Sequence, residues 1–256
     1  MKVLILAGGF GTRLSEETGI RPKPMVEIGG YPILWHIMKT YAEHGYNDFV
    51  ILLGYKGDFI KQYFLDYVAL HSDMTIDMKN GEVSYLRRHE MEWKVTLLDT
   101  GSNTMTGGRV KRAQEIINGE PFMLTYGDGV SDINIPELVD FHKNHKRLIT
   151  MTSVVPDGRF GRMQIDADNT ISSFIEKPKE ENWINGGFFV CENKVLDYIT
   201  EGDASIFERK PLEALANEHQ LMAYKHFGFW KCMDTLSDKN NLEKMWQEGA
   251  PWKIWK

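Results

Sequence analysis

Cysteine is scarce: Cys191 and Cys232 are the two thiols in 256 residues. Two thiols cannot form the framework that staples small secreted domains, so burial must hold this chain together and a reducing cytoplasm is its expected setting. Positive charge is not in excess either. The formal net charge of -6 argues against a nucleic acid as the main partner. No apolar run is long enough to span a membrane, and no membrane partner is expected. The opening Met1–Ala7 faintly imitates a secretion signal, but the apolar stretch is short and ends in glycines and Arg13, so none is expected. Internal repeats, low-complexity tracts and linkers rich in Pro, Gly or Ser are missing too. One domain over residues 1–256 is the economical reading. What is present is ordinary: 42% hydrophobic and 26% charged residues, in a chain long enough to bury a substantial core.

The most informative stretch comes first. An apolar run, Leu4-Ile5-Leu6-Ala7, meets Gly8, Gly9, Phe10, Gly11, Thr12 and Arg13. Glycines there let backbone N–H groups approach a ligand, and such groups suit an anion. Arg13 adds a charged fork that can grip phosphate oxygens. This is no Walker loop, because no Gly-Lys-Ser/Thr follows. It is a poor dinucleotide fingerprint as well, since Leu14 stands where the third glycine belongs. A plain strand-to-helix connection would also use glycines. The companion Arg21-Pro22-Lys23-Pro24-Met25 tips the balance: two proline rings should present Lys23 from a stiffened, strand-like segment.

Further along, Pro32 opens a helical pattern (Ile33, Leu34, Ile37, Met38, Tyr41) that ends at Gly45, and Phe49–Leu53 reads as a buried parallel strand. Strand, helix, strand is a βαβ unit. Asp58 is placed to cap a second helix with Phe59, Ile60, Tyr63 and Phe64 facing the core. Asn80-Gly81 between two β-rich runs predicts a hairpin with a type I′ turn. A second hydroxyl- and glycine-rich loop, Thr100–Arg109, opens a helix and again places an arginine near backbone donors. Phe122–Tyr126 is a buried-strand run that stops at Gly127-Asp128-Gly129, where ligands of open α/β sheets sit. Taken alone, Asp128 reads as a turn residue and Asp234 as the N-cap of a polar helix. His142 and His145 lack the partners of a zinc site and read as solvated helix residues. Ser205-Ile206-Phe207-Glu208 has capping-box spacing. The tail, with Trp252 and Trp255, is too apolar to hang free and should pack on the body or on another subunit.

Six motifs together are more specific than any one: Leu6–Arg13, Lys23-Pro24, Gly127-Asp128-Gly129, Glu176-Lys177-Pro178, Asn185-Gly186-Gly187 and Met233-Asp234-Thr235. In this order, over essentially the whole chain, they resemble the sugar-1-phosphate nucleotidyltransferases. Leu14–Thr18, Met25–Gly30, Pro32–Met38 and Thr104–Arg109 are similar to the cytidylyl-transferring branch of that family.

The resemblance implies an α/β fold: a Rossmann-like, mixed but mostly parallel sheet flanked by helices, of the nucleotide-diphospho-sugar transferase type. The N-terminal half would take the nucleotide and the C-terminal half the sugar phosphate. It implies that CTP and α-D-glucose 1-phosphate give CDP-glucose and pyrophosphate, for deoxysugars of a surface polysaccharide such as lipopolysaccharide O-antigen. By carry-over, Leu6, Ala7, Gly8, Gly9, Phe10, Gly11, Thr12 and Arg13 would hold the nucleotide, with Thr104, Arg109 and Asp128. Arg13 and Lys23 would be the catalytic cations. Asp128 and Asp234 would bind Mg²⁺, and Glu176, Lys177, Asn185 and Gly186 the sugar phosphate. A homo-oligomer, for instance a hexamer, is implied as well.

The residue types suit that chemistry. When a sugar phosphate attacks an α-phosphorus, two polyanions meet, so positioning and positive charge matter more than a covalent nucleophile. The attacking phosphate is already ionised, and no Ser-His-Asp or Cys-His arrangement competes for the role. Rival readings are a uridylyl- or thymidylyltransferase on glucose 1-phosphate, a catalytically silent regulatory module, and a nicotinamide dehydrogenase. Intact Arg13, Lys23, Asp128, Lys177 and Asp234 argue against the second, and Leu14 against the third.

Overall fold

The computed structural model describes residues 1–87, 91–156, 162–175 and 183–255. Its centre is a seven-stranded sheet of β1 (Lys2–Leu6), β2 (Asp48–Leu53), β3 (Lys94–Asp99), β4 (Phe122–Tyr126), β5 (Ile149–Val154), β6 (Ile184–Cys191) and β7 (Leu221–Lys225), in the order β7-β5-β6-β4-β1-β2-β3. Neighbours pair in parallel except around β6, which runs against both β4 and β5. The mixed, mostly parallel sheet expected from the sequence is therefore present.

The central strands β1, β2 and β4 read as apolar runs because both faces are covered. Val3 and Ile5 of β1 join Phe49, Ile51 and Leu53 of β2 in one core cluster, while Leu4 joins Val50 and Leu52 in the other. A one-residue slip would exchange the two faces, so the register is strongly specified. Helix α1 (Ile33–Glu43) covers the first face with Ile33, Leu34, Ile37, Met38 and Tyr41, all buried. Helix α2 (Gly57–Leu70) begins after Lys56 in a left-handed conformation (φ 51°), so Asp58 lies inside its first turn and does not cap it. Ile60 of α2 is buried, whereas Phe59 is exposed.

Other departures have local causes. Asp73–Asp77 and Glu82–Arg87 form the expected hairpin, but residues 78–81 connect them and only Gly81 takes a positive φ, which is not a two-residue type I′ turn. His142, on α3 (Ile135–His145), is buried and its Nδ1 lies 2.8 Å from the Thr150 hydroxyl, with His145 Nε2 2.6 Å from the same oxygen; these are not solvated residues. Ser205 and Glu208 form no capping box, because the helix they precede starts at Lys210 and Glu208 turns elsewhere. The tail packs on the body. Trp252 is fully buried, and its indole N–H donates to His36 Nδ1 at 3.3 Å.

Three features position the site. The chain moves from β1 through β2 to β3 on one side, then returns to β4 on the other side of β1. Loops that leave β1 and β4 thus diverge and open a crevice at the carboxyl ends of those strands. Leu6 is registered with Tyr126, and Gly127 N–H donates to Leu6 O at 3.0 Å, so the glycine loop and the Gly-Asp-Gly turn start side by side. Finally Gly129–Ser131 pairs antiparallel with Trp230–Cys232, and Met233 N–H donates to Asp128 O at 2.8 Å. This pairing zips Asp128 and Asp234 together.

Candidate active site

The crevice is a cavity of about 360 Å³ lined by Leu6 through Arg13, Lys23, Ser102 through Thr106, Arg109 and Tyr126 through Asp128, with Pro24 between them. Most of the residues expected to hold a nucleotide are thus brought to one wall. Asp234 joins this group through its ion pairs. Asn185 and Gly186 sit on the β6 side of Tyr126, with Asn185 Nδ2 donating to the Tyr126 hydroxyl at 2.9 Å. Glu176 and Lys177 lie outside the described residues.

At the centre is Lys23. Its ammonium donates to Asp128 Oδ2 and to Asp234 Oδ1, both at 2.7 Å, while Arg13 Nη1 donates to Asp234 Oδ2 at 2.8 Å. Pro22 is extended (ψ 150°), as its ring requires, but Lys23–Met25 forms a 3₁₀ turn and not the strand-like segment expected. Burial works against the charged form of the lysine. The Asp128 and Asp234 carboxylates outweigh that and hold its pKa above the ordinary lysine value. For Asp234, burial works against ionisation, and Lys23 and then Arg13 more than offset it, leaving the pKa below the ordinary aspartate value. Arg13 is 72% exposed against 12% for Lys23, so its fork is free to swing toward an incoming anion. Cys232 stands beside them as a thiol: burial and the Asp234 charge push its pKa up to about 11, and its Sγ–H faces Asp234 Oδ2 at 3.8 Å.

Asp234 does not cap the helix that follows it. Thr235 does, in a reciprocal box with Asp238 at the start of α4 (Leu236–Glu248), which leaves the Asp234 carboxylate for the cations.

Arg109 behaves differently from Arg13. It is buried, and its guanidinium faces oxygens of the protein: Nη1 toward Leu53 O (2.9 Å), Thr100 Oγ1 (2.7 Å) and Gly101 O (2.7 Å), Nη2 toward Gly8 O (2.9 Å) and Ser102 O (3.3 Å). It borders the cavity as a pin that ties the glycine loop to the ends of β2 and β3. A Cβ at Gly8 or Gly54 would lie 2.3 Å from Arg109 Nη1. The lack of a side chain at Gly8 therefore makes room for this guanidinium, a role that backbone donation to phosphate does not require.

Three participants were not singled out from the sequence. These are Tyr126 and Glu208, which meet through the Tyr126 hydroxyl donating to Oε1 at 2.7 Å, and Trp230, whose indole N–H donates to Gly186 O at 2.7 Å. The one available signal was the position of Tyr126, last in its strand and adjacent to Gly127-Asp128.

Residues 2–238 match the family model described as Nucleotidyl transferase, and the chain belongs to that family. It is 52% identical over 258 residues to a glucose-1-phosphate cytidylyltransferase of Salmonella typhi, with 100% of both chains covered. The enzyme of the same description from Salmonella typhimurium matches to the same extent. Among solved structures, HddC from Yersinia pseudotuberculosis has a TM-score of 0.68 at 25% identity, covering 96% of this chain and 99% of that one.

Proposed function

We propose that this cavity transfers a cytidylyl group from CTP to α-D-glucose 1-phosphate, giving CDP-glucose and pyrophosphate. The observation that carries the reading is Lys23 held between Asp128 and Asp234 beside the glycine loop, in a chain half identical over its full length to glucose-1-phosphate cytidylyltransferases. A largely buried lysine held charged by two carboxylates and an exposed arginine are the groups that a reaction between two phosphates needs. In this reading the 8–13 backbone and Thr104 hold the nucleotide, Arg13 swings from Asp234 to the phosphates, and Lys23 neutralises charge at the α-phosphate. Lys177 is assigned to the sugar phosphate and Glu176 to the sugar hydroxyls.

Asp128 and Asp234 are proposed to hold Mg²⁺. The donor set fits: two carboxylates converge on one cation position, now met by the Lys23 ammonium, and they are the hard oxygens this ion prefers. Phosphate oxygens and water would complete its shell. When bound, the metal would supply charge neutralisation at the phosphates.

Among the described residues no helix is long and apolar enough to cross a membrane. A cytoplasmic enzyme feeding deoxysugar or O-antigen assembly is the setting proposed. Exposed Leu65, Leu70, Met78 and Leu86 on α2 and the 73–87 hairpin support homo-oligomerisation. The test of the function is pyrophosphate release with Mg²⁺, four nucleoside triphosphates crossed against several sugar 1-phosphates. CTP with glucose 1-phosphate should give the highest kcat/KM. Preference for UTP or dTTP would move the protein to a sister activity, and no release from any pair would leave a binding module.

A further inference from the structure

Glu208 lies 82 positions from Tyr126 and 102 from Thr106 in sequence, yet its carboxylate joins both. Tyr126 donates its hydroxyl hydrogen to Oε1 at 2.7 Å, and Thr106 donates to Oε2 at 2.6 Å. Thr106 and Tyr126 both line the cavity. An ionised carboxylate can only accept, so the direction of each bond is set by Glu208. With its hydrogen directed to Glu208, the Tyr126 oxygen presents a lone pair to Asn185, whose Nδ2 donates to it at 2.9 Å. Asn185 Oδ1 in turn accepts Gly187 N–H at 2.9 Å. The amide plane is thereby fixed, and among the described residues no acceptor takes its second N–H.

We propose that Glu208 is a positioning residue for the sugar-phosphate half of the site, orienting Asn185 through the Tyr126 hydroxyl. The two arms of the carboxylate are unequal in consequence. Thr106 has a second tether, because its hydroxyl oxygen also accepts Phe207 N–H at 2.9 Å. Tyr126 has Glu208 as the acceptor that fixes its hydroxyl rotor. Loss of the carboxylate therefore disturbs the Tyr126–Asn185 side more than the nucleotide wall, and the Asn185 N–H that would meet an oxygen of the sugar phosphate loses its direction. This rests on the cytidylyl-transfer reading.

The experiment is steady-state pyrophosphate release with CTP and glucose 1-phosphate, each varied in turn, for the wild type, Glu208→Ala, Glu208→Gln and Tyr126→Phe. Glu208→Ala should raise KM for glucose 1-phosphate roughly tenfold, the scale of one lost hydrogen bond to a charged group, and change KM for CTP by less than about threefold. Glu208→Gln keeps an acceptor for Tyr126 and should restore most of the sugar-phosphate KM. Tyr126→Phe should reproduce the Glu208→Ala effect, and the double variant should add little to either. A merely structural role would lower the yield of folded enzyme without moving KM, and that result overturns the proposal. So does an effect confined to CTP. If Glu208→Ala does not fold, Tyr126→Phe reads the same bond from its other end. A wild type inactive with this substrate pair contradicts the reading of the reaction, whereas an active wild type with an unmoved Glu208→Ala KM contradicts the role of Glu208 alone.

Discussion

Lys23 and Asp234 are 211 positions apart in the chain and 2.7 Å apart in space. Pairing of Gly129–Ser131 with Trp230–Cys232 delivers the aspartate, and the turn between Pro22 and Val26 delivers the lysine. The pair is built to stay ionised. The folded pKa of Lys23 lies above its unfolded value near 10.5, so its contribution is complete below that pH and is lost as pH rises through the folded value. The folded pKa of Asp234 lies below 3.8, so its contribution is complete above that and is lost as pH falls through the folded value. Between these limits the centre keeps its charges.

If Lys23 stabilises charge that develops on the phosphates, Lys23→Ala should lower kcat on the order of a hundredfold as well as raise KM for CTP. Lys23→Arg should not restore it, because a planar fork cannot replace a point charge held between two carboxylates. Initial-rate kinetics check this, and a change in KM alone would make Lys23 a binding residue only.

The glycine loop separates two roles that adjacent glycines share in the sequence. Gly8→Ala would place a Cβ 2.3 Å from Arg109 Nη1, whereas a Cβ at Gly9 meets nothing within 4 Å. Urea unfolding should show Gly8→Ala destabilised by about 2 kcal/mol or more and Gly9→Ala nearly unchanged. Arg109→Ala should cost a similar amount, because it empties a buried position and removes the hydrogen bonds that tie the Gly8, Leu53, Gly101 and Ser102 carbonyls together. Equal effects at Gly8 and Gly9 would contradict the pinning role.

Much of this was legible beforehand. Apolar runs at Leu4–Leu6, Phe49–Leu53 and Phe122–Tyr126 marked the central strands because parallel strands are buried on both faces. Cationic and acidic residues at strand ends marked the site because ligands gather there. What stayed hidden depends on tertiary packing. Arg109 resembled a phosphate ligand, since nothing in the sequence shows that five protein oxygens surround it. Ser205 and Glu208 had the spacing of a cap, but Glu208 found partners on two distant elements. His142 had no metal partners and so looked solvated, until β5 placed Thr150 against it.

The tail suggests a pH effect remote from the chemistry. His36 is buried in neutral form, Nε2 facing Ile28 O at 2.8 Å and Nδ1 accepting from Trp252. Burial lowers its pKa from 6.5 to about 4. The unfolded chain takes up this proton first, so stability should fall as pH drops from about 6.5 to about 4 and then level off for this group. In thermal melts across that range, His36→Gln should start less stable and lose less on acidification. A variant with the same acid slope as the wild type would remove His36 from the account.

Asp128 and Asp234 are proposed to form one metal-dependent centre with Lys23. The most direct measurement is pyrophosphate release from CTP and glucose 1-phosphate by Asp128→Asn and Asp234→Asn across a Mg²⁺ titration. Both should lose turnover on the order of a hundredfold or more, and each should need more Mg²⁺ for half-maximal rate. Turnover within a few-fold of wild type in both variants, at unchanged Mg²⁺ demand, would contradict it.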